Sequence, residues 1–207
     1  MKIGILGAAT VGQALAGRLA DADHDVVIAN SRGPESLHTV VAPLGRRVAA
    51  GHVADALDNP VVILGVPWTR VRDVLTPDID WRGRVLIDAT NIFTSYTPSF
   101  EIDELGDDSG SEVVARLAPS ARVVKAFNTL PIDVMFAPHQ ADGFRRVLFV
   151  AGDDPEAVEL AQKLIADLGL HPVSMGSLAV GGRLMQLGGP LSGLELFSAG
   201  NAAEQKT

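Results

Sequence analysis

The residues with the clearest chemical meaning lie near the start of the chain, in the run Gly7-Ala8-Ala9-Thr10-Val11-Gly12. They follow an apolar run and open an amphipathic stretch, which is the context in which such a loop binds a dinucleotide. Gly7 allows a tight turn, Gly12 allows close helix packing, and the helix N-terminus offers N–H groups to a pyrophosphate. Ala9 stands where glycine is usual and should hold the phosphates slightly away. The alternative is a Rossmann-like domain that no longer binds a nucleotide.

A second candidate position follows about twenty residues later, where an apolar run ends in Asn30-Ser31-Arg32. NAD-binding domains usually carry Asp or Glu here, which accepts hydrogen bonds from the ribose hydroxyls of adenosine. This chain has an amide, a hydroxyl and a guanidinium, and a guanidinium fork suits a phosphate. The turn is therefore predicted to bind the 2′-phosphate of NADP, with Ser36 as a further candidate. The alternative is a solvated turn with an incidental arginine.

Three more candidates come directly after apolar runs: Val66-Pro67-Trp68, Asn91 and Asn128. In an open parallel sheet, ligands lie across the carboxyl ends of the strands. Val66, Pro67 and Trp68 would give an apolar edge for ribose and nicotinamide, although Trp68 could equally be a core aromatic. Asn91 and Asn128 would donate to the nicotinamide carboxamide or to the second substrate. Alternatively, they cap the loops that follow their strands.

The sequence offers no recognisable set of catalytic side chains. Asp88 and Lys125 each precede one of those asparagines by three residues, so they are expected to face each other, more as a structural ion pair than as a catalytic pair. The five histidines show no metal-ligand spacing, and the absence of cysteine excludes disulfides and thiolate chemistry. We therefore predict no catalytic residue and no metal site. Hydride transfer between two cofactors fits this absence, because it requires little acid–base help.

Short Val- and Ile-rich runs alternate with helical segments along the chain. The runs are residues 2–6, 26–29, 48–50, 61–66, 84–89, 122–126, 147–151 and 172–175. The strongest are continuously apolar, which indicates parallel strands covered on both faces. The prediction is an α/β fold of the Rossmann type, with a doubly wound, mostly parallel sheet. Residues 1–126 would form the dinucleotide-binding core, and residues 127–207 a C-terminal extension of the same domain.

Two stretches do not follow this alternation of apolar runs and helical segments. Residues 92–110 are rich in Ser, Thr, Asp and Pro and are expected to form a functional loop or a local excursion. Residues 176–196 are glycine-rich but apolar, so they are predicted to pack beside the cleft or against a partner copy. Truncation after Gly176 is expected to abolish binding of the second substrate, or solubility, more readily than binding of NADPH.

Composition narrows the classes of partner. The 207 residues carry a net charge of -8, which argues against nucleic-acid and anionic-membrane binding. No apolar run reaches the ~18–20 residues that a bilayer requires. A cytoplasmic protein acting on a small-molecule redox substrate is the expectation.

In order and spacing, these motifs resemble the NADPH-dependent coenzyme F420 reductases, which are related to the reductase domain of six-transmembrane metalloreductases. The resemblance includes Val124-Lys125-Ala126-Phe127-Asn128-Thr129 and Gly181-Gly182-Arg183-Leu184. It implies a Rossmann domain with a small C-terminal extension, often a homodimer, that exchanges hydride between NADP(H) and a 5-deazaflavin. Ala9 and the long 92–110 stretch depart from the family pattern, and the second departure leaves the hydride partner open.

Three functions stay open from the sequence. The first is an NADPH-dependent oxidoreductase with coenzyme F420 as the second substrate. The second is an NADPH:flavin or metal-chelate reductase. The third is a non-catalytic NADP(H)-binding redox sensor. The chain lacks the long helical domain that 3-hydroxyacid dehydrogenases and imine reductases append, which argues against those enzymes.

Overall fold

A central sheet of nine strands organises the chain in the computed structural model, which describes residues 1–95, 97–140 and 143–199. The described residues contain eleven strands, of which β6 and β7 form a separate small sheet. They are β1 (Lys2–Leu6), β2 (Asp25–Ala29), β3 (Val48–Gly51), β4 (Val61–Leu64), β5 (Val85–Asp88), β6 (Phe93–Ser95), β7 (Glu101–Ile102), β8 (Arg122–Lys125), β9 (Phe144–Gly152), β10 (His171–Ser174) and β11 (Phe197–Ala199). The main order is β10-β9-β8-β5-β4-β1-β2-β3, and β11 pairs with β9.

Six neighbouring strands of this sheet run parallel to one another, in the order β8-β5-β4-β1-β2-β3. Crossovers on both faces of the sheet bring their carboxyl ends to one edge, where the strand order reverses between β1 and β4. The predicted Rossmann-type, mostly parallel sheet is confirmed. The strand directions beyond β8 differ from the sequence expectation, because β9 is antiparallel to β8 while β10 is parallel to β9.

The helices are mostly short. They are α1 (Thr10–Asp21), α2 (His38–Val41), α3 (Val53–Leu57), α4 (Val71–Val74), α5 (Gly110–Leu117), α6 (Ile132–Met135), α7 (Pro155–Asp167) and α8 (Arg183–Met185). The 3-10 turns are Pro34–Leu37, Ala42–Leu44 and Trp68–Arg70, and Leu178–Gly182 forms a π-helical turn.

Local sequence explains the ends of the best-predicted helix, α7. The Asp154 carboxylate accepts the Ala157 N–H at 2.8 Å, and Pro155 occupies the first turn, where it needs no donor. Gly169, at φ 78°, follows the helix in the left-handed conformation that commonly ends one. Capping and turn chemistry here agree with the hydrophobic pattern.

Continuous apolar strands supply both layers of the core, because successive side chains point to opposite faces of the sheet. Ile5 and Ile63 pack with Leu15 of α1 in one buried cluster. Val62 packs with Val114 of α5 in the other. The sheet is therefore covered on both sides, and the strand-end loops are left as the place for a site.

The stretch 92–110 is a local excursion rather than an irregular loop. β6 and β7 pair antiparallel as a small separate sheet, and α5 begins at Gly110. After residue 126, the described part of the chain adds β9, β10 and β11 to the main sheet, and α7 connects β9 to β10. The domain boundary at residue 126 stays a prediction, and residues 200–207 of the extension lie outside the described residues.

Candidate functional site

Two cavities lie at the carboxyl ends of the parallel strands and share Val66 and Pro67 as a common wall. The central cavity measures about 500 Å³ and the β2 cavity about 740 Å³, both within the size range of small-molecule sites. The central cavity is lined by Ala9, Thr10, Val11, Gly65, Val66, Pro67, Trp68, Ala89, Thr90, Asn91, Phe93, Phe127, Asn128, Thr129, Leu130, Pro131, Ile132, Leu187, Ser192 and Gly193. Because they share this wall, the two cavities adjoin each other along the strand ends.

The β1–α1 loop has the shape of a phosphate cradle. Gly7 has φ 110°, and a Cβ there would collide with the Gly65 carbonyl. A Cβ on Gly12 would collide with the Gly7 carbonyl oxygen, so the helix packs directly onto the loop backbone. The side-chain amide of Gln13 donates to the Ala8 carbonyl at 2.8 Å and fixes the loop. The structure therefore explains both glycines of the motif by close backbone approach.

Ala9 occupies the cap position of α1 in an extended conformation, φ -88°, that any residue can adopt. It offers no side-chain cap, and the first turn carries no acidic residue. Ala9, Thr10 and Val11 line the central cavity, so the uncapped end of a twelve-residue helix lies at its wall. Uncapped N–H groups and the helix dipole favour an anion at this position.

The turn after β2 is shaped by Asn30. Its Oδ1 accepts the Arg32 N–H at 2.8 Å, and its Nδ2 donates to the Ser36 hydroxyl at 3.0 Å. Asn30 and Ser36 therefore form the turn together, whereas Ser31 and Arg32 lie exposed at the β2 cavity. Within the described residues, Arg32 makes no ion pair. The guanidinium is thus available for an anionic ligand.

The opposite wall of the β2 cavity was not anticipated. Arg70 and Asp73 line it as an ion pair with an N–O distance of 3.1 Å, and Asp78 lines it nearby. The three lie after β4 rather than after β2, so the spacing of the fingerprint carried no signal for them. The lining of the β2 cavity thus combines the unpaired Arg32 with the Arg70–Asp73 pair and Asp78.

Trp68 combines the two roles that the sequence left open. It is buried in the core, and it also lines the central cavity. Its Nε1 donates to the Asp103 carboxylate at 2.8 Å, which ties the β6–β7 excursion to the end of β4. Phe93 of β6 lines the same cavity. The excursion therefore supplies one side of the site.

The two candidate asparagines bind each other. Asn128 Nδ2 donates to Asn91 Oδ1 at 3.1 Å and to the Met185 carbonyl at 2.8 Å. Asn91 Nδ2 donates to the Asn128 carbonyl at 2.9 Å. Both residues line the central cavity, but their amide N–H groups have partners within the protein. In this geometry the contacts are those of the structural alternative, and the expectation that these amides donate to a ligand stays a prediction.

Asp88 and Lys125 form the predicted ion pair beneath the cleft. They are register partners on β5 and β8, with 3.0 Å between Nζ and Oδ2, and both are buried. Burial opposes ionisation of Asp88, but the Lys125 ammonium and hydrogen bonds from Ser111 and Thr90 outweigh it, so its pKa is lowered. Lys125 also donates to the Thr90 carbonyl. The network fixes the loop that forms the cavity floor.

The apolar C-terminal segment supplies part of the wall of the central cavity. Leu187, Ser192 and Gly193 line the cavity, and the Gly193 N–H donates to the Thr129 carbonyl at 2.7 Å. The structure thus places this segment beside the cleft, as its apolar composition indicated. Its individual lining residues could not be identified from sequence, because they reach the cavity through contacts with residues more than 60 positions away in the chain.

Two features are absent from the described residues. No group of three or more His, Asp or Glu side chains there could hold a metal ion. No helix within the described ranges is long and apolar enough to span a bilayer.

Comparison with known proteins finds a family match in the first part of the chain. Residues 2–92 match the family described as NADP oxidoreductase, coenzyme F420-dependent. The metalloreductase STEAP3 of Rattus norvegicus is 30% identical over 179 residues, covering 86% of this chain and 34% of that protein. This chain therefore spans about a third of the length of that curated relative.

Two solved structures extend the match to the C-terminal segment. A hypothetical protein, SMa0349, from Sinorhizobium meliloti is 42% identical, with a TM-score of 0.87 and 96% of both chains covered. A protein from Arthrobacter sp. FB24, provisionally described as an F420-dependent NADP-reductase, is 27% identical, with a TM-score of 0.71 and 86% of both chains covered. These matches confirm the resemblance seen in the motifs. Residues 2–92 therefore carry the domain of the NADP oxidoreductases of the coenzyme F420-dependent type, and the chain as a whole is similar in fold to the Arthrobacter protein.

Proposed function

We propose that this protein transfers a hydride between NADPH and the ring of a deazaflavin of the coenzyme F420 type. The observation that carries the proposal is the cleft itself. It runs from an exposed arginine at the β2 turn, past an uncapped helix end, into an apolar cavity. These three environments suit, in order, a phosphorylated ribose, a pyrophosphate and a nicotinamide ring.

The residues fit NADP(H) on two independent features. The first is the cradle that a Cβ on Gly7 or Gly12 would fill, which lets the loop backbone approach a pyrophosphate. The second is the pair Ser31 and Arg32, which are exposed at the β2 cavity. The turn sequence Asn30-Ser31-Arg32 contains no Asp or Glu that would repel a phosphate. In this proposal Ser31 and Arg32 bind the 2′-phosphate, and residues 7–12 bind the pyrophosphate. Val66 and Pro67 form the wall between the adenosine and nicotinamide ends.

When bound, NADPH would supply a hydride from nicotinamide C4 and leave as NADP⁺, and the deazaflavin would take up that hydride together with one proton from solvent. The protein aligns the two rings and excludes water, which is the larger part of catalysis when cofactors carry the chemistry. Trp68, Phe93 and Leu187 supply apolar surface around the central cavity. Asp88 and Lys125 lie buried beneath it and hold Thr90 in place rather than exchanging protons.

A deazaflavin is favoured as acceptor by the apolar, aromatic lining and by the Arthrobacter relative's provisional description. The alternative is reduction of a flavin or a ferric chelate, which the similarity to the metalloreductase STEAP3 favours. A non-catalytic sensor is the third candidate. Homodimer formation and a cytoplasmic location stay predictions from the sequence.

The deciding experiment follows NADPH absorbance in separate mixtures of the purified protein with coenzyme F420, FMN, FAD and ferric citrate. The expected result is consumption of NADPH that is fastest with F420, and much slower consumption of NADH. Faster turnover with a flavin or the ferric chelate would replace the proposal with the reductase alternative. Tight NADPH binding without turnover of any acceptor would favour the sensor.

A further inference from the structure

One buried arginine near the central cavity has no part in the proposed binding of NADP(H). Arg146 lies on β9 and is 4% exposed. The other buried Asp, Glu, Lys and Arg residues among those described are Asp88 and Lys125, which pair with each other. Removing a guanidinium from water is costly, and apolar side chains would often fill the same space equally well. The buried charge of Arg146 therefore requires an explanation beyond packing.

The guanidinium of Arg146 joins two segments that are distant in the chain. Its Nη1 donates to the carbonyls of Met135 and Ala137, at 3.0 and 2.9 Å, where α6 ends. Its Nε donates to Glu195 Oε1 at 2.9 Å, and the guanidinium lies over the Phe197 ring, 5.2 Å from the ring centroid. A single planar fork thus binds the end of α6 and also the C-terminal segment.

Both of these segments continue into the wall of the central cavity. Residues 130–132 lead into α6 and line the cavity, and Ser192 and Gly193 line it just before Glu195. The two segments also bind each other, because the Gly193 N–H donates to the Thr129 carbonyl at 2.7 Å. Neither segment contributes to the lining of the β2 cavity. They therefore form the side of the central cavity that lies away from the proposed adenosine end.

Local structure alone would hold these two segments weakly. The helix α6 has only four residues, and residues 186–196 belong to no helix or strand. In contrast, β9 is a nine-residue strand that pairs with β8, β10 and β11 in the main sheet. Through Arg146, the sheet therefore fixes both parts of the cavity wall.

We propose that Arg146 is a positioning residue for the hydride acceptor. This inference rests on the proposed function. Arg146 sets the spacing between the end of α6 and residues 192–197, and the planar ring of the acceptor packs against the wall that they form. Because hydride transfer requires two closely aligned rings, a shift of this wall changes the geometry of the reacting atoms although Arg146 does not touch them. Lysine would not serve, because a compact ammonium lacks the planar fork that binds acceptors on both segments.

The test begins with Glu195, because its side chain is 40% exposed and can be replaced without opening the core. Glu195→Ala removes the carboxylate that Arg146 binds, whereas Glu195→Gln keeps an acceptor oxygen. In single-turnover mixtures with NADPH and coenzyme F420, Glu195→Ala should slow hydride transfer roughly tenfold, since a misplacement of about 1 Å can cost about a hundredfold. Glu195→Gln should recover most of the wild-type rate. The dissociation constant for NADPH, measured by calorimetry, should stay nearly unchanged in both variants.

Hydrogen exchange of the backbone amides tests the positioning without any acceptor. Glu195→Ala should speed exchange at Gly193 and leave α6 protected, because Arg146 still binds the carbonyls at the end of that helix. Arg146→Lys should speed exchange in both segments and slow hydride transfer at least as much as Glu195→Ala. Exchange in residues 7–12 should not change in either variant. Glu159→Ala removes an exposed carboxylate of α7 outside both cavities, so it is the control and should behave as wild type.

Unchanged hydride transfer and exchange in Glu195→Ala would overturn the inference. Equal losses of hydride transfer and NADPH affinity would also overturn it, because Arg146 would then support the whole fold. If Arg146→Lys does not fold, the two Glu195 variants decide, since both keep the buried arginine. Failure of wild type to reduce F420, FMN, FAD or ferric citrate would instead contradict the proposed function. An exchange pattern in Glu195→Ala identical to that of wild type would then show that Arg146 does not hold the wall.

Discussion

At the scale of single residues, Arg32 is the clearest candidate for selecting the cofactor. The Asn30 side chain accepts its backbone N–H and so fixes the turn, while the guanidinium lies exposed at the β2 cavity. A charge-assisted hydrogen bond to a phosphate contributes roughly 1.5–3 kcal/mol. NADH lacks the 2′-phosphate, so this contribution should appear only with NADPH.

Replacing Arg32 with Ala should therefore weaken NADPH binding by roughly ten- to a hundredfold and leave NADH nearly unchanged. Dissociation constants for both dinucleotides, measured by calorimetry at low and high salt, check this prediction. High salt should reduce the wild-type preference, since the contact lies near solvent. Arg46→Ala is a matched control, because Arg46 is exposed and lies outside both cavities. Equal losses for NADPH and NADH would show that Arg32 does not read the 2′-phosphate.

At the scale of elements, the sequence predicted those helices and strands whose signals lie within a short stretch of the chain. The parallel strands were recognisable from their apolar runs, which are continuous in the strongest ones, and α7 because its cap, its period and its terminal glycine agree. The antiparallel direction of β9 was missed, since hydropathy carries no information on strand direction. The three-residue β11 is too short to produce a pattern at all.

The same distinction applies to the candidate site. Gly7 and Gly12 were predictable because the turn they allow is encoded within six residues. The pairing of Asn91 with Asn128 was not, because it depends on two loops separated by 37 positions. The Trp68–Asp103 hydrogen bond, across 35 positions, is a similar case. Most of the residues predicted for the site line one of the two cavities, whereas Ala8 and Gly12 are in neither lining. The sequence could not tell which of their polar atoms have partners in the protein.

That Trp68–Asp103 contact gives a prediction about the β6–β7 excursion. Asp103→Ala should loosen the excursion, because it removes the acceptor for Trp68 Nε1 from a strand pair of only three and two residues. Phe93 would then move at the cavity wall, so KM for the hydride acceptor should rise several-fold while the dissociation constant for NADPH stays within about twofold. Steady-state kinetics and calorimetry measure the two quantities.

The exposed Asp107 provides the control, because Asp107→Ala removes the same charge from the same stretch. It should leave both quantities unchanged. A loss of NADPH affinity in Asp103→Ala equal to the rise in KM would mean that the excursion supports the whole cleft rather than the acceptor side.

At the scale of the whole molecule, the buried network around Asp88 connects the sheet to the layer above it. Asp88 on β5 binds Lys125 on β8, and it also accepts hydrogen bonds from Ser111 on α5 and from Thr90. Thr90 lines the central cavity, so the interior charge pair and the site share one loop. Removing one member of such a pair leaves an uncompensated buried charge, which typically costs about 3–5 kcal/mol.

The pH dependence of stability follows from the lowered pKa of Asp88. Its folded-state pKa lies below the ordinary value of 3.8, so the unfolded chain binds this proton more readily than the folded chain. The contribution of the Asp88 carboxylate is therefore fully present above about pH 4–5 and is lost as the pH falls through the folded-state pKa.

Asp88→Asn should lower the free energy of unfolding by about 3–5 kcal/mol at pH 7, and the difference from wild type should shrink on acidification. Urea unfolding at neutral and acidic pH measures both, with the exposed Asp107→Asn as control. Adding Lys125→Met to Asp88→Asn should recover part of the loss, because the unpaired ammonium is then gone. A pH-independent difference between Asp88→Asn and wild type would show that Asp88 stabilises the fold through its shape and hydrogen bonds rather than through its charge.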